Sequence, residues 1–357
     1  MITKEQITSI NNHFIITKQR SGSKLLAVML GANSSVQSIH EENIYEKFKS
    51  KYSNKTFNNL EVLNDFLDDL YEFSNHGSIN FYLPSRKNLT IEISPYFKYE
   101  LTFKQFVNLF YLFFFSTIKN KTVKTIINKD ISYQVQTSKI FKEFPESKFI
   151  FLVRDSITNI NSVINTGLTQ KNVAFQSAIW KYMTHDILRL KKKLPQNSYI
   201  FVKFEDLIGD SENTLKKICC FLNLNFEPAM LNNVEQMLKI DDYASKRYFE
   251  EHSISKSFKD DIIHSSSRKI LDKSKIKNHA LNQKELMKIV SATNSLRIQL
   301  GYKNDLTIKT KYFAYNLVDL YNYLKGYTYI LILNKYYTSK FFTKVFFRKV
   351  NVFNLFN

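Results

Sequence analysis

Cysteine, glycine, proline and acidic residues are all scarce in this chain, and each shortage excludes something. The two cysteines, Cys219 and Cys220, are adjacent. Neighbours in sequence make a poor disulfide, and two thiols alone build no structural zinc site. A disulfide framework is excluded, and a reducing compartment fits. Seven glycines and five prolines in 357 residues exclude collagen-like, linker-rich and most all-β designs. Acids are outnumbered, 32 Asp and Glu against 51 Lys and Arg, which leaves a formal charge of +19. That balance suits an anionic partner. Lysines scattered over a solvated face account for most of it, however, and the glycine-arginine, RNP and zinc-finger patterns that would favour nucleic acid are missing. The opening MITKEQITSINNHF has no apolar run of the secretory kind, so a cytoplasmic location is expected. The longest apolar stretch, Phe106 to Ile118, is shorter than the roughly 20 residues that span a bilayer and contains Asn108. It reads as a buried helix.

What is present points to an α/β fold. Hydrophobic residues make up 44% of the chain, enough for a sizeable core. His13 to Thr17 is a β-branched apolar run, followed by the polar turn Lys18-Gln19-Arg20-Ser21-Gly22-Ser23 and the helical stretch Lys24 to Leu30. Strand, glycine turn and helix form the opening of a phosphate-binding α/β unit. Ser147 to Val153 and Ser198 to Lys203 read as further strands, ending at Arg154-Asp155 and at Phe204-Glu205-Asp206. Amphipathic helices are expected around Ala174 to Lys193 and Thr214 to Leu222. Short strands alternating with helices imply a central parallel sheet with helices on both faces. From Leu306 onward the character changes: fifteen aromatics and eight Lys or Arg accompany one acid, Asp319. The expected division is a domain over 1–305 and a basic, aromatic, helical appendage over 306–357.

A glycine turn entering a helix cradles anions, because the first turn leaves backbone N–H groups unpaired at the positive end of the helix dipole. Gly22 lets a phosphate approach, Ser21 and Ser23 offer hydroxyls, and Arg20 and Lys24 bring charge. As a Walker A motif the segment is poor. Lys24 is followed by Leu25, so the hydroxyl that would hold Mg²⁺ is missing, and this argues against a nucleotide kinase.

Four segments in order resemble the sulfotransferases that use 3′-phosphoadenosine 5′-phosphosulfate (PAPS). Lys18 to Leu26 resembles their 5′-phosphosulfate loop. Phe149 to Asp155, with Ser162 eight residues after Arg154, resembles their 3′-phosphate site. Val202 to Leu207, followed by Phe221 to Leu224, is similar to their third conserved stretch, and Leu300-Gly301-Tyr302 to their C-terminal one. Asn128-Lys129-Asp130 and the spacing from Arg20 to Glu41 look most like the tyrosylprotein-type and bacterial members. Ser23 and Lys24 in the first loop, Ser156 after Asp155 and Ile131 after Asp130 depart from the family's usual residues. Ser265 to Lys269 loosely resembles the loop over the cofactor.

The resemblance implies a three-layer P-loop-like fold and PAPS as co-substrate, with no metal. It also implies roles. Arg20, Ser21, Gly22, Ser23, Lys24 and Leu25 would hold the 5′ end of PAPS. Arg154 and Ser162 would grip its 3′-phosphate, and Ser266 and Arg268 would close over it. Arg20 and Lys129 would offset charge on the leaving oxygen, and Glu41, with His40 as the alternative, would take the acceptor's proton. The acceptor expected is a hydroxyl of a glycan or glycolipid, with protein tyrosine as the second choice. Peripheral membrane contact through 306–357 would suit a lipid-linked acceptor. A rival of another class is an inactive anion-binding scaffold.

Overall fold

The computed structural model describes residues 2–40, 43–74, 86–114, 122–130, 132–166, 170–232, 281–303 and 315–338. Five parallel strands form one sheet: β1 (Asn11–Thr17), β2 (Val36–His40), β5 (Thr125–Lys129), β6 (Phe149–Val153) and β7 (Tyr199–Lys203), in the order β2-β5-β1-β6-β7. A two-stranded antiparallel pair, β3 (Thr56–Phe57) with β4 (Leu101–Thr102), stands apart from it. Helices cover both faces of the main sheet. The fold is therefore the α/β architecture expected from the strand-helix alternation.

The apolar runs explain three strands directly. β6, FIFLV, is buried along its whole length, as a strand inside a parallel sheet must be. β1 is buried from Asn12 to Thr17 and pairs with β6, Phe14 opposite Phe149 and Thr17 opposite Leu152. β7 pairs on the far side of β6 and is only half-buried, which fits an edge. β2 and β5 escape the sequence reading because Gln37, Ser38 and Asn128 interrupt their apolar character, yet all three are buried.

The chain divides into two compact units interleaved in sequence. The first contains Met1–His13, Lys24–Asp130 and Leu215–Ile276. Its core joins α3 (Ile44–Tyr52), α4 (Leu60–Ser74), α5 (Arg86–Ile93) and α6 (Phe103–Phe114) around Tyr52, Phe57, Phe66, Phe103 and Phe106. Phe57 and Phe106 stack with centroids 3.8 Å apart. The anomalous Asn108 of α6 is buried and satisfied: it accepts from Asn12 Nδ2 at 2.9 Å and donates to the Ile7 carbonyl at 3.3 Å.

The second unit contains Phe14–Ser23, Ile131–Thr214 and Lys277–Asn357. It holds α7 (Tyr133–Glu143), α8 (Ser156–Thr166), α9 (Val173–Lys191), α10 (Phe204–Gly209), α12 (Gln283–Gln299) and α13 (Leu317–Thr338). Between α10 and α12 in the chain comes α11 (Ser211–Leu222). Trp180 of α9 is core, packed with Ile160, Ile289 and Leu296. The described part of the 306–357 segment, α13, packs along α9 through Tyr329 and Ile330 against Phe175, Ile179 and Met183.

Candidate active site

The loop between β1 and α2 (Ser23–Gly31) is built for close approach to an anion. Its backbone turns left-handed at Arg20, φ 66°, and again at Gly22, φ 88°. Glycine is required at the second position on two counts. A side chain there would be strained, and a Cβ would overlap the Phe204 ring. Ser23, Lys24 and Leu25 then open α2, so their N–H groups form the unpaired first turn.

Two guanidinium groups flank this loop. Arg154, just past the end of β6, donates from Nη1 to the Arg20 carbonyl at 2.9 Å and from Nε to Thr158 Oγ1 at 3.1 Å. Its guanidinium carbon lies 4.6 Å from the Phe204 ring centroid. Arg20 donates from Nε to Ser162 Oγ at 3.3 Å. Burial pulls both guanidinium pKa values down, and Arg20 lowers that of Arg154 further while Glu205 works against the fall. Two cations made uncomfortable by desolvation and by each other favour an anion between them.

A polar scaffold fixes the loop from behind. Lys18, 5% exposed, donates from Nζ to Asn159 Oδ1 at 2.9 Å. The Asn159 amide in turn donates to the Gln19 carbonyl at 3.0 Å and to Ser21 Oγ at 3.1 Å. Burial drops the Lys18 pKa to about 7. Trp180 Nε1 donates to the Arg154 carbonyl at 3.1 Å, so the indole serves the site as well as the core. Asp155 begins α8, accepting from the Ile157 N–H, and takes a bidentate pair from Arg297 at 3.0 and 2.9 Å. Glu205 accepts from the Asp155 N–H at 3.1 Å and from Tyr302 Oη at 3.0 Å. The Leu300-Gly301-Tyr302 segment is thus tied to the ends of β6 and β7, with Lys203 Nζ donating to the Gly301 carbonyl.

The other unit holds the segment around Lys129. β2 and β5 run parallel, and the register sets His40 opposite Lys129 and Ile39 opposite Asn128. Lys129 and Asp130 are both buried. Asn128 donates to Asn12 Oδ1 at 3.1 Å and to the His13 carbonyl at 3.3 Å, which locks the end of β5 against β1. Glu41, Ser266 and Arg268 lie outside the described residues. Among the described residues, no cluster of three or more His, Cys, Asp or Glu could hold a metal ion.

Residues 13–228, well over half of the chain, match the Sulfotransferase family. The chain belongs to the sulfotransferase family. No curated protein matches it. Among solved structures it is similar to the sulfotransferase domain from the curacin biosynthetic pathway, at 20% identity and a TM-score of 0.46, covering 82% of this chain and 98% of the other. The sulfotransferase domain of the Synechococcus PCC 7002 olefin synthase is matched at 20% identity and TM-score 0.46, over 82% and 96%. A sulfotransferase from Alicyclobacillus acidocaldarius follows at 11% and 0.36, over 70% and 98%.

The structure brings Arg20, Arg154 and Ser162 of the sulfotransferase pattern together around one loop. The sequence reading missed Lys18, Thr158, Asn159 and Phe204. For Asn159 a signal existed: it stands four residues after Asp155 and three before Ser162, a helical spacing that sets the three on one side. Lys18 and Phe204 stand inside stretches that resemble the family's, but only the fold shows their side chains turned toward the loop.

Proposed function

We propose that this sulfotransferase takes its sulfuryl group from PAPS and delivers it to a hydroxyl of a glycan or glycolipid. The observation that carries the donor is the cradle of Arg20 and Arg154 beside the left-handed turn at Gly22 and the first turn of α2. Those residues fit a nucleotide with phosphates at two positions, since the loop and helix offer donors to one anion while the Arg154 guanidinium and the Ser162 hydroxyl beside them offer donors to a second. Bound PAPS would supply an activated sulfuryl group, which passes to the acceptor oxygen as its S–O bond to the 5′-phosphate breaks and that phosphate leaves on PAP.

The roles of the chain's own residues follow from charge and proton balance. Ser21 to Leu25 hold the 5′ end by hydroxyls and backbone N–H groups. Ser266 and Arg268 complete the grip on the nucleotide. Arg20 and Lys129 offset negative charge as it grows on the leaving oxygen, where losing one donor typically costs about 3–4 kcal/mol of barrier. Glu41 accepts the proton of the attacking hydroxyl, with His40 as the alternative base. None of these roles calls on a metal. The Asn128-Lys129-Asp130 segment keeps a protein tyrosine as the second acceptor. A lipid-linked glycan is preferred because the basic, aromatic 306–357 segment suits peripheral contact with the cytoplasmic leaflet.

Calorimetry tests the donor assignment. The bisphosphate product of PAPS, 3′-phosphoadenosine 5′-phosphate (PAP), is expected to bind at least tenfold more tightly than ADP. Arg154→Ala removes most of that preference. Equal affinity for ADP and PAP contradicts the assignment and restores the nucleotide kinase.

A further inference from the structure

We propose that the outward face of α13 is a docking surface for an anionic lipid membrane. The inward face is fully committed. Tyr329 and Ile330 pack on α9. Gly326 lies so close to α9 that a Cβ would come within 2.5 Å of the Phe175 carbonyl oxygen. Asp319 is buried and paired with Lys288 at 2.7 Å, and Asn334 donates to Tyr182 Oη at 3.0 Å. These contacts fix which side of the helix meets solvent.

That solvent side is apolar. Leu317, Leu320, Tyr321, Leu324, Tyr327 and Leu331 are all exposed, Leu317 by 85% and Leu324 by 55%. Their three-and-four spacing makes one continuous stripe along four turns. Single exposed leucines are ordinary on a protein surface, but a stripe of six marks an interaction site.

Charge selects the occupant. The chain carries +19, so a second copy is repelled while an anionic surface attracts it. The one acid of residues 306–357, Asp319, is already paired with Lys288, whereas the segment contains eight Lys or Arg. Exposed leucines with tyrosines among them and cations along the same segment are the composition of a helix lying in a membrane interface. No helix among the described residues is long and apolar enough to cross a membrane, and the contact proposed for this face is peripheral. The inference deepens the lipid-linked acceptor reading and rests on it, because docking puts enzyme and acceptor in one plane.

Flotation of the full-length protein with vesicles of phosphatidylglycerol, against vesicles of phosphatidylcholine, tests it beside a Leu317→Gln/Leu324→Gln variant. Both positions are exposed, and the thermal midpoint and PAP affinity serve as folding controls. The wild type is expected to float with the anionic vesicles alone, less so at high salt, and the variant to bind at least tenfold more weakly with unchanged PAP affinity. Equal flotation of both proteins overturns the α13 face while leaving membrane contact in place. Flotation of neither overturns the face and the membrane reading together, and PAP binding still reports on the sulfotransferase assignment. A concentration-dependent dimer that the variant weakens, without vesicle binding, overturns the proposal in favour of a second copy.

Discussion

Lys18 shows how far a single residue departs from what its position suggests. A lysine in a polar turn ordinarily sits in water, but here it lies buried behind the anion loop with the Asn159 amide as its acceptor. Burial lowers its pKa from 10.5 to about 7. The unfolded chain therefore holds this proton over a range where the folded chain does not. Below about pH 7 both states bind it, and the cost of burying a charge is fully present. From there to about pH 10.5 only the unfolded state binds it, so stability gains up to ~1.4 kcal/mol per pH unit from this group. Denaturant melts of wild type and Lys18→Met across pH 6 to 10 check the sign. The Met variant is expected to hold its largest relative advantage at low pH, and the gap to close as pH rises. A gap independent of pH contradicts a buried, desolvated Lys18.

At the scale of elements, α12 acts as a brace for the strand ends that carry the site. Arg297 is 1% exposed and grips the Asp155 carboxylate with two hydrogen bonds, next to Arg154 in the chain. Removing one partner of such a pair leaves an uncompensated buried charge, which costs about 3–5 kcal/mol. Arg297→Met is expected to lose stability by that order in chemical denaturation, and Asp155→Asn to lose it as well. A loss below about 1 kcal/mol means the pair is not holding α12 to α8. This brace was only half legible in the sequence. Leu300-Gly301-Tyr302 stood out by resemblance, but Arg297 looked like any helix arginine, and its partner lies 142 residues away. The strands divide in the same way. β1, β6 and β7 announced themselves as unbroken apolar runs. β2 and β5 hide buried polar residues, and Asn128 of β5 is satisfied by Asn12 and the His13 carbonyl on β1.

For the whole molecule, the sheet order sets Arg20 and Arg154 at the ends of adjacent parallel strands, where βα turns collect. A parallel sheet followed from the strand-helix alternation and a shared cofactor from the resemblance; the neighbouring of β1 and β6 comes from the fold alone. The orientation of α13 did not follow, because apolar and aromatic residues occur on every side of the helix, and only packing on α9 decides which side faces out. Membership of the sulfotransferase family makes group transfer the activity, and the donor is the point on which the account stands or falls. The most direct test is transfer of radiolabelled sulfate from PAPS into a mixed pool of glycan and glycolipid hydroxyl acceptors, with release of PAP followed in parallel. Wild-type protein is expected to move label to acceptor and release PAP in equal amounts, and Arg20→Ala to lower the rate by about 100-fold or more, in line with the loss of one charge-stabilising donor. Transfer of the γ-phosphate of ATP with none from PAPS, or label transfer that Arg20→Ala leaves unchanged, contradicts it.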